Sequence, residues 1–469
     1  MSASPQQCSP QGRQPRPAAS KWLVLVVMCV GYFLVLLDVT VVNVALPKIG
    51  AGIGAHLSGL QWVVDGYALA LAALLLAGGT IGDLRGHKRV VLSGLVIFGV
   101  ASLGCGLAPD TGVLIGARAV QGVGAALLLP GTLAIITHAF PGKGEQARAI
   151  GIWAGVGSVA LPAGPLLGGA LIAGFGWRAV FLINVPVVAI AGVVAARVVT
   201  ETIGDPHRRL DRPGVITAGV FLTAVTFAFI QAGHSGLGRP VVAAIVVAVA
   251  AAVVFVAVER SRSDPMLPLR LFTRRDFSTA NTVAGVMNLG TLGLLFLLTL
   301  YLQTVQHRSA LAAGVAVLPL FAPLSVLAPI GGRLTARLGA KVPMAIGLVA
   351  AGVGVALLAR LQPHSAYLTL LPAMLAWGVG LGLLTPAVVA AAVGAVDADR
   401  AGLASGVNNT FRQAGGAIGI AAFGALAGAP TATQSFVTGF RHAGLLTAAL
   451  FAAATVAAIT LIPSKPSGE

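Results

Sequence analysis

The sequence predicts an all-α protein that crosses a membrane many times. Of its 469 residues 57% are hydrophobic and only 9% are charged, and the mean hydropathy is +0.92. A water-soluble globular protein carries about 25% charged residues. The apolar runs are about 18 to 25 residues long, which matches a helix crossing a ~30 Å hydrocarbon core, whereas a barrel strand needs only about 10. We therefore expect membrane-spanning helices.

We divide the apolar runs into about fourteen spans. The first six are residues 22–46, 57–81, 90–108, 113–136, 148–173 and 179–199. Two further spans are residues 215–232 and 241–258. The last six are residues 279–302, 311–334, 342–361, 368–393, 403–427 and 443–461.

Basic residues decide the predicted orientation of these spans. The formal net charge is +16, and most Lys and Arg residues fall in alternate loops, among them those with Arg85, Arg212 and Arg262. The remaining loops carry single basic residues, such as Arg178 and Arg360. The positive-inside rule therefore places both termini in the cytoplasm of a multi-pass cell-membrane protein. The charge reflects topology and contact with membrane lipid, and not binding to nucleic acid.

Two echoes in the sequence divide the chain into related halves. The stretch 79–88 reappears at 332–341 with its glycines and lysine in register, and 122–130 reappears at 378–386 with Gly-Val-Gly and a proline. Many transporters consist of two such halves that move about a central site. The predicted domains are a disordered tail (1–21), an N-terminal six-helix bundle (22–199), a linker with two extra spans (200–276), a C-terminal six-helix bundle (277–463) and a second tail (464–469).

Asp38 points most directly to a function, because it lies inside the first predicted span. A carboxylate there costs about 2.5 to 3.5 kcal/mol to insert and is kept mostly where it meets water, a cation or a partner charge. At ~1.5 Å per residue, Asp38, Asp65 and Arg118 lie at similar depths, about 8 to 12 Å from the outer ends of their helices. We expect these three residues to couple transport to protons, with Arg118 tuning the proton affinity of Asp38. A static Asp38–Arg118 pair that only joins two helices is the alternative.

Several motifs carry a resemblance to a known family. They are LDVTVVNVALP (37–47), QWVVDGY (61–67), LIGARAVQGVG (114–124), WRAVFLINVP (177–186), the stretch 264–272 and the stretch 402–413. Together they resemble the fourteen-helix drug:proton antiporters of the major facilitator superfamily. The resemblance implies two six-helix bundles with two inserted spans. It also implies export of hydrophobic drugs or antibiotics, cationic or amphipathic, in exchange for protons.

Polar and aromatic residues inside the spans are candidates for the wall of a substrate cavity. They are Trp62, Tyr67, Asn43, Gln121, Asn288, Gln303, Arg412 and Gln413. Spans seven to fourteen contain no carboxylate in their interiors, so the acids of the site are expected in the N-terminal half. Hydrogen bonding between helices is the alternative role for the polar residues, and anchoring at the membrane interface is the alternative for Trp62.

The fifth span resembles the glycine-rich antiporter motif of the family. The matching residues are Gly151, Gly164, Pro165, Gly168 and Gly169, with Ala160 where the family more often has glycine. Proline removes a backbone donor and glycine permits close approach, so a kinked helix could seal or open the cavity. Tight packing without gating is the alternative.

The turn after the second span is similar to the cytoplasmic latch of the superfamily. The matching residues are Gly79, Asp83, Arg85, Gly86, Lys88 and Arg89. In the family such an aspartate contacts the positive N-terminus of a helix in the other half. Leu84 stands where the family usually has arginine. A tight turn with topogenic charges is the alternative for Lys88 and Arg89.

These features predict a proton-driven exporter without a cofactor. The chain has no G-x-x-x-x-G-K-[ST] loop for ATP and no soluble domain. Its spans hold no metal-ligand cluster and no nucleophile–base pair, so we expect neither a bound metal nor enzyme activity. The expected partners are a small-molecule drug or antibiotic, protons and membrane lipid. The alternatives are a proton-linked importer or metabolite exporter of the same fold, and a receptor or scaffold in which Asp38→Asn would not alter flux.

Overall fold

The computed structural model describes residues 18–201, 210–262, 265, 267–397 and 400–463. Over these ranges the structure is helical, without strands. The helices of the N-terminal half are α1 (Ala18–Ile53), α2 (Leu57–Arg85), α3 (His87–Leu107), α4 (Thr111–Ala139), α5 (Lys143–Phe175), α6 (Ala179–Leu182) and α7 (Asn184–Val198). The inserted pair is α8 (Arg212–Ser235) and α9 (Arg239–Ser261). The predicted tail residues 1–17 and 464–469 and the linker residues 202–209, 263, 264 and 266 lie outside the described ranges.

The C-terminal half begins with a short 3-10 helix, Leu269–Thr273, that leads into α10 (Arg275–Leu300). A π-helical turn, Tyr301–Val305, extends α10 at its end. The remaining helices are α11 (Ala310–Ala316), α12 (Leu318–Leu338), α13 (Lys341–Leu358), α14 (Tyr367–Gly394), α15 (Ala401–Ala427) and α16 (Thr433–Leu461). We call the face on which α1 begins and α2 ends the inner face, and the opposite face the outer face.

The predicted spans coincide with these helices, with a few differences. Thirteen helical segments of the described chain are long and apolar enough to cross a membrane. The predicted span 403–427 forms α15 but is not among those thirteen. Its polar residues, including Asn408, Asn409 and Arg412, lower its hydropathy. Residues 18–20, predicted to belong to a disordered tail, form the first turn of α1 instead.

Two predicted spans are interrupted. Residues 179–199 form α6 and α7, which meet at Ile183, and residues 311–334 form α11 and α12, which meet at Val317. The second break precedes Pro319, which has no backbone N–H to continue the helical ladder. The hydrophobic pattern runs through both breaks and so does not reveal them.

The glycines of the two sequence echoes occupy equivalent positions in both halves, at close helix contacts and at helix ends. A side chain at Gly122 would meet the carbonyl of Tyr67 in α2, and one at Gly378 would meet the carbonyl of Leu320 in α12. These glycines therefore let α4 and α14 lie directly against their neighbours. Gly86 and Gly339 match in the same way: they end α2 and α12 with φ of 92° and 77°, a conformation that favours glycine.

The inserted pair α8–α9 packs where the two halves meet. Helix α8 contacts α2 of the N-terminal half and α15 of the C-terminal half. Phe227 of α8 lies 6.4 Å from the Trp62 ring of α2, measured between centroids, and Gly233 lies against Ala425 of α15. Helix α9 contacts α8 and leaves most of its surface exposed. The pair therefore covers the outside of the interface between the halves.

Candidate functional site

A cavity of about 2110 Å³ lies between the two halves and opens on the inner face. Helices α1, α2, α4 and α5 form one wall, and α10, α12, α14 and α15 form the other. Its mouth is lined by residues at the inner ends of helices, including Asp83, Asp211 and Arg400. With the orientation predicted from the basic loops, this conformation faces the cytoplasm. The volume exceeds the ~300 to 1,000 Å³ that is usual for a drug-sized ligand.

The outer end of the cavity is closed by contacts between the halves. Gly169 of α5 packs on the backbone of Leu311 in α11, and Gly314 of α11 packs on the carbonyl of Pro165. The side-chain amide of Gln303 donates to the carbonyl of Val44 at 2.9 Å. These contacts join the two walls at the outer end, whereas the mouth among the described residues lies at the inner end.

Asp38 and Arg118 form an ion pair immediately behind the α1 wall of the cavity. Their side chains are fully buried, and the Arg118 Nη1 donates to Asp38 Oδ2 at 2.5 Å. Gln121 Nε2 donates to the other carboxylate oxygen at 3.0 Å, while its Oε1 accepts from Arg118 Nη1 at 2.7 Å. Val39 and Thr40, which follow Asp38, line the cavity. The ion pair thus lies on a different face of α1 from the residues that line the cavity.

The surroundings of Arg118 fix its position. Its Nε donates to the carbonyl of Val63 at 3.0 Å, and its guanidinium lies 4.4 Å from the centroid of the Tyr67 ring. An arginine over an aromatic face is stabilised by a cation–π interaction. Tyr67 is held in turn by a hydrogen bond from its hydroxyl to the carbonyl of Val35 at 3.2 Å. The remaining nitrogen, Arg118 Nη2, is buried without an acceptor among the described residues.

The network extends beyond the residues that the sequence singled out. Ser102 of α3 accepts from Gln121 Nε2 at 3.0 Å and from Asn184 Nδ2 at 3.4 Å. Both residues are buried, and both are polar residues inside apolar spans. That combination is the signal that could have identified them. The network thus links α1, α4, α3 and α7 around one carboxylate.

Asp65 is not part of this network. It is fully buried, and neither carboxylate oxygen has a hydrogen-bond partner in the part of the chain that the structure describes. Gln61, one turn before it, donates to the carbonyl of Ala421 in α15 at 3.0 Å. Ala68, one turn after it, packs with Ala417 of α15 and with Leu222 of α8. Asp65 therefore faces α15 and the inserted helix α8 rather than Arg118, and the structure does not bring the three expected residues together.

The predicted cavity residues divide into two groups. Asn288, Arg412 and Gln413 line the cavity. Five others lie outside it in this conformation: Trp62, Tyr67, Asn43, Gln121 and Gln303. Trp62 packs on α8, Asn43 donates to the carbonyl of Val39 in its own helix at 3.0 Å, and Tyr67, Gln121 and Gln303 make the contacts described above. All five side chains make contacts between or within helices, although Asn43 Oδ1 is buried without a hydrogen-bond partner among the described residues.

A stacked pair of aromatic residues in the cavity wall was not predicted. Tyr32 of α1 and Trp153 of α5 stack face to face, with ring centroids 3.9 Å apart and an interplanar angle of 18°. Both line the cavity. Gly157, one turn after Trp153, leaves the room that the Tyr32 ring occupies. Single aromatic residues in a membrane span carry no sequence signal that separates a cavity wall from an interface anchor.

The glycine motif of α5 contacts two different partners. Gly164 and Gly168 lie against Thr40 and Val41 of α1 in the same half. Gly169 and Pro165 lie against α11 of the other half, as described above. Gly151 has no atom within 4 Å of the position that a side chain would take, and it lines the cavity. The motif therefore combines packing inside one half with contact between the halves.

Several contacts of the predicted latch residues lie within the N-terminal half. Gly79 and Asp83 line the cavity, and Asp83 Oδ1 lies 3.2 Å from His87 Nε2. Arg85 is exposed, and Gly86 forms the turn between α2 and α3. Lys88 Nζ donates to the carbonyl of Ala196 at 2.7 Å.

A glutamate that the sequence did not reveal binds the start of α3. The carboxylate of Glu201 accepts from the backbone N–H groups of Lys88 and Arg89 at 3.0 and 3.2 Å. A carboxylate at a helix N-terminus is stabilised by the helix dipole and by the backbone N–H groups of the first turn, which have no acceptor within the helix. This contact joins the loop after α7 to the latch segment.

The comparisons with known proteins agree on one family. The sequence model of the Major Facilitator Superfamily matches residues 28–420. The chain is 37% identical to the multidrug resistance protein Stp of Mycobacterium tuberculosis over 409 residues, 86% of this chain and 75% of that protein. It is 38% identical to the puromycin resistance protein pur8 of Streptomyces alboniger over 416 residues, 88% of this chain and 82% of that protein.

Solved structures show the same fold. A bacterial homologue of the human lysosomal transporter Spinster, in an inward-facing and unoccupied conformation, aligns with a TM-score of 0.66 at 19% identity. The alignment covers 98% of this chain and 100% of that one.

Proposed function

Because the chain belongs to the major facilitator superfamily, we propose that it exports hydrophobic drugs or antibiotics, cationic or amphipathic, in exchange for protons. It is a multi-pass membrane protein of this family. The proposal places it in the cell membrane with both termini in the cytoplasm, because the basic loops lie on the inner face. The matched relatives carry drug or antibiotic resistance in their names, and they cover most of this chain.

The Asp38–Arg118–Gln121 network carries the proposal for proton coupling. A buried ion pair is costly to maintain, and removing one partner leaves a charge whose burial costs about 3 to 5 kcal/mol. Protonation of Asp38 removes one of the two charges without removing an atom. The state of the pair therefore depends on a single proton, at a residue directly behind the cavity wall.

The transport cycle follows from this dependence. With the cavity open to the cytoplasm, Asp38 is ionised and paired with Arg118, and substrate enters from the inner face. When the halves move and the outer end opens, substrate leaves and Asp38 takes up a proton from outside. The protonated protein returns to the inward-facing state and releases the proton to the cytoplasm. Exchange is enforced if substrate and proton favour different states of the pair.

The test is proton movement in inverted membrane vesicles acidified by respiration. Adding a transported drug should release protons from vesicles that contain the intact protein, and Asp38→Asn should abolish the release. Asp110→Asn is the matched control: Asp110 caps α4 at the outer face through Val113 N at 2.9 Å, and asparagine caps a helix equally well. That variant should release protons normally.

Two other outcomes are informative. Proton release that survives in Asp38→Asn would assign the carrier to another acid, of which Asp65 is the remaining predicted one. If no drug releases protons from the intact protein, the exchange of drugs for protons is wrong, and a proton-linked metabolite transporter of the same fold becomes the better description.

A further inference from the structure

Arg412 places a positive charge in the cavity wall, and no described residue forms an ion pair with it. It lies near the middle of α15, about 16 Å from the start of the helix at ~1.5 Å per residue, and lines the cavity. Within the described ranges it makes no hydrogen bond or ion pair, and its Nε is buried without an acceptor. A cation inside a membrane protein is usually paired with a carboxylate or with backbone carbonyls. Arg412 therefore has donor capacity that is directed to the cavity.

The side chains around Arg412 do not supply the missing negative charge. Asn288, Asn409 and Gln413 line the same wall, and Thr291 Oγ1 is buried without a partner among the described residues. These groups are neutral. They add hydrogen-bonding capacity at the level of Arg412 but leave its charge uncompensated.

The acids that line the cavity lie at its mouth. Asp83 is in the last turn of α2, Asp211 precedes α8, and Glu259 is in the last turn of α9. Each has its own contact: His87, Arg262 and the backbone N–H of Leu267, respectively. Asp38 is paired with Arg118 outside the lining. Among the described residues the middle of the cavity therefore carries a positive charge and no carboxylate, whereas a site built for a cation would present a carboxylate there.

The opposite wall offers a flat aromatic surface. The stacked rings of Tyr32 and Trp153 belong to the N-terminal half and line the same cavity as Arg412 of the C-terminal half. The indole Nε1 of Trp153 is buried and has no acceptor in the described chain. A ligand between the walls would thus meet an aromatic surface on one side and a guanidinium with unused donors on the other.

We propose that Arg412 binds the anionic end of an amphipathic aromatic substrate, a carboxylate or sulfonate, whose ring system packs beside Tyr32 and Trp153. This inference rests on the proposed export function and narrows its substrate class to amphipathic acids. A guanidinium binds a carboxylate through two parallel hydrogen bonds, which gives both affinity and orientation. Because Tyr32 and Arg412 belong to opposite halves, such a ligand contacts both parts that must move during transport.

The test uses two probes with the same ring and opposite charges, naphthylacetate and naphthylethylammonium. Binding of each probe to the purified full-length protein in a non-ionic detergent is measured by calorimetry. The intact protein should bind the anion at least about tenfold more tightly than the cation, because hydrogen bonds to charged groups contribute about 1.5 to 3 kcal/mol. Arg412→Gln should abolish this preference, and Arg412→Lys should retain part of it. Arg333→Gln, which removes an exposed arginine outside the cavity, should behave like the intact protein.

Several results would overturn the inference: equal or tighter binding of the cation, no binding of the anion, or anion affinity unchanged in Arg412→Gln. A melting curve for each variant verifies that it is folded.

Proton release from vesicles separates this inference from the proposed function. Asp38-dependent release with cationic drugs alone would sustain the function and refute the anion site. Arg412-dependent anion binding without proton release by any drug would sustain the anion site and refute the proposed exchange of drugs for protons.

Discussion

Replacing Gly169 with alanine should open the outer end of the cavity. A side-chain carbon at this position would lie 2.6 Å from the Cα of Leu311 and 3.0 Å from its backbone nitrogen. Both are backbone atoms, so the neighbour cannot move aside by a side-chain rotation. Overpacking of this kind costs about 1 to 3 kcal/mol. The cost applies only to the conformation in which α5 touches α11, so it should shift the equilibrium towards the outward-open state by roughly 5- to 150-fold.

Gly174→Ala is the matched control in the same helix. No atom lies within 4 Å of the position that its side chain would take. Alanine stabilises a helix interior by about 1 kcal/mol relative to glycine, and this effect is the same in both conformations. Gly174→Ala should therefore leave the conformational equilibrium unchanged.

The assay is a distance measurement between spin labels by pulsed electron paramagnetic resonance. One pair is placed at the exposed outer positions His56 and His364, and a second pair at the exposed inner positions Arg85 and Arg337. Gly169→Ala should increase the population with a long outer distance and decrease the population with a long inner distance. If both distributions match those of the unsubstituted protein, the α5–α11 contact does not control closure of the outer end.

Two further predictions concern single contacts. Tyr67→Phe keeps the ring under Arg118 and loses only the hydrogen bond to Val35, so it should reduce the free energy of unfolding by about 1 kcal/mol. Tyr67→Leu also loses the cation–π contact and should reduce the free energy of unfolding by about 2 kcal/mol more. Thermal unfolding in detergent compares the two variants, and equal effects would argue against a stabilising role of the ring. Asp211→Ala should destabilise α8 by about 1 kcal/mol, because Asp211 Oδ1 accepts a hydrogen bond from Gly214 N at 3.0 Å, whereas Asp211→Asn should not destabilise it. Hydrogen exchange of the backbone amides in the first turn of α8 measures this difference. Identical exchange in both variants would show that Asp211 does not act as the N-cap of α8.

The sequence predicts the helices well because the length of each apolar run is set by the membrane. It misses the breaks at Ile183 and Val317, since apolar residues continue through both. The internal repeat is also visible in the sequence. The structure gives its physical reason: the repeated glycines occupy equivalent close contacts, as Gly122 and Gly378 do.

The candidate site is only partly predictable because depth and rotation are separate quantities. Counting residues gives the level of Asp38, Asp65 and Arg118 in the membrane, and Asp38 and Arg118 do meet. Each residue turns about 100° around a helix, so Tyr67 points to Arg118 while Asp65, two positions earlier, points to α15 and α8. Only the packing of the helices fixes this rotation. For the same reason the sequence does not indicate that Tyr32 and Arg412 line one cavity from opposite halves.

We propose that Asp38 couples the export of a drug to the entry of protons. The most direct test compares two activities of Asp38→Asn in proteoliposomes: exchange of labelled for unlabelled substrate without a gradient, and accumulation of substrate driven by a proton gradient. We expect exchange to persist, because the cavity wall is intact, and proton-driven accumulation to be lost. Accumulation at the level of the unsubstituted protein would show that Asp38 is not the proton carrier.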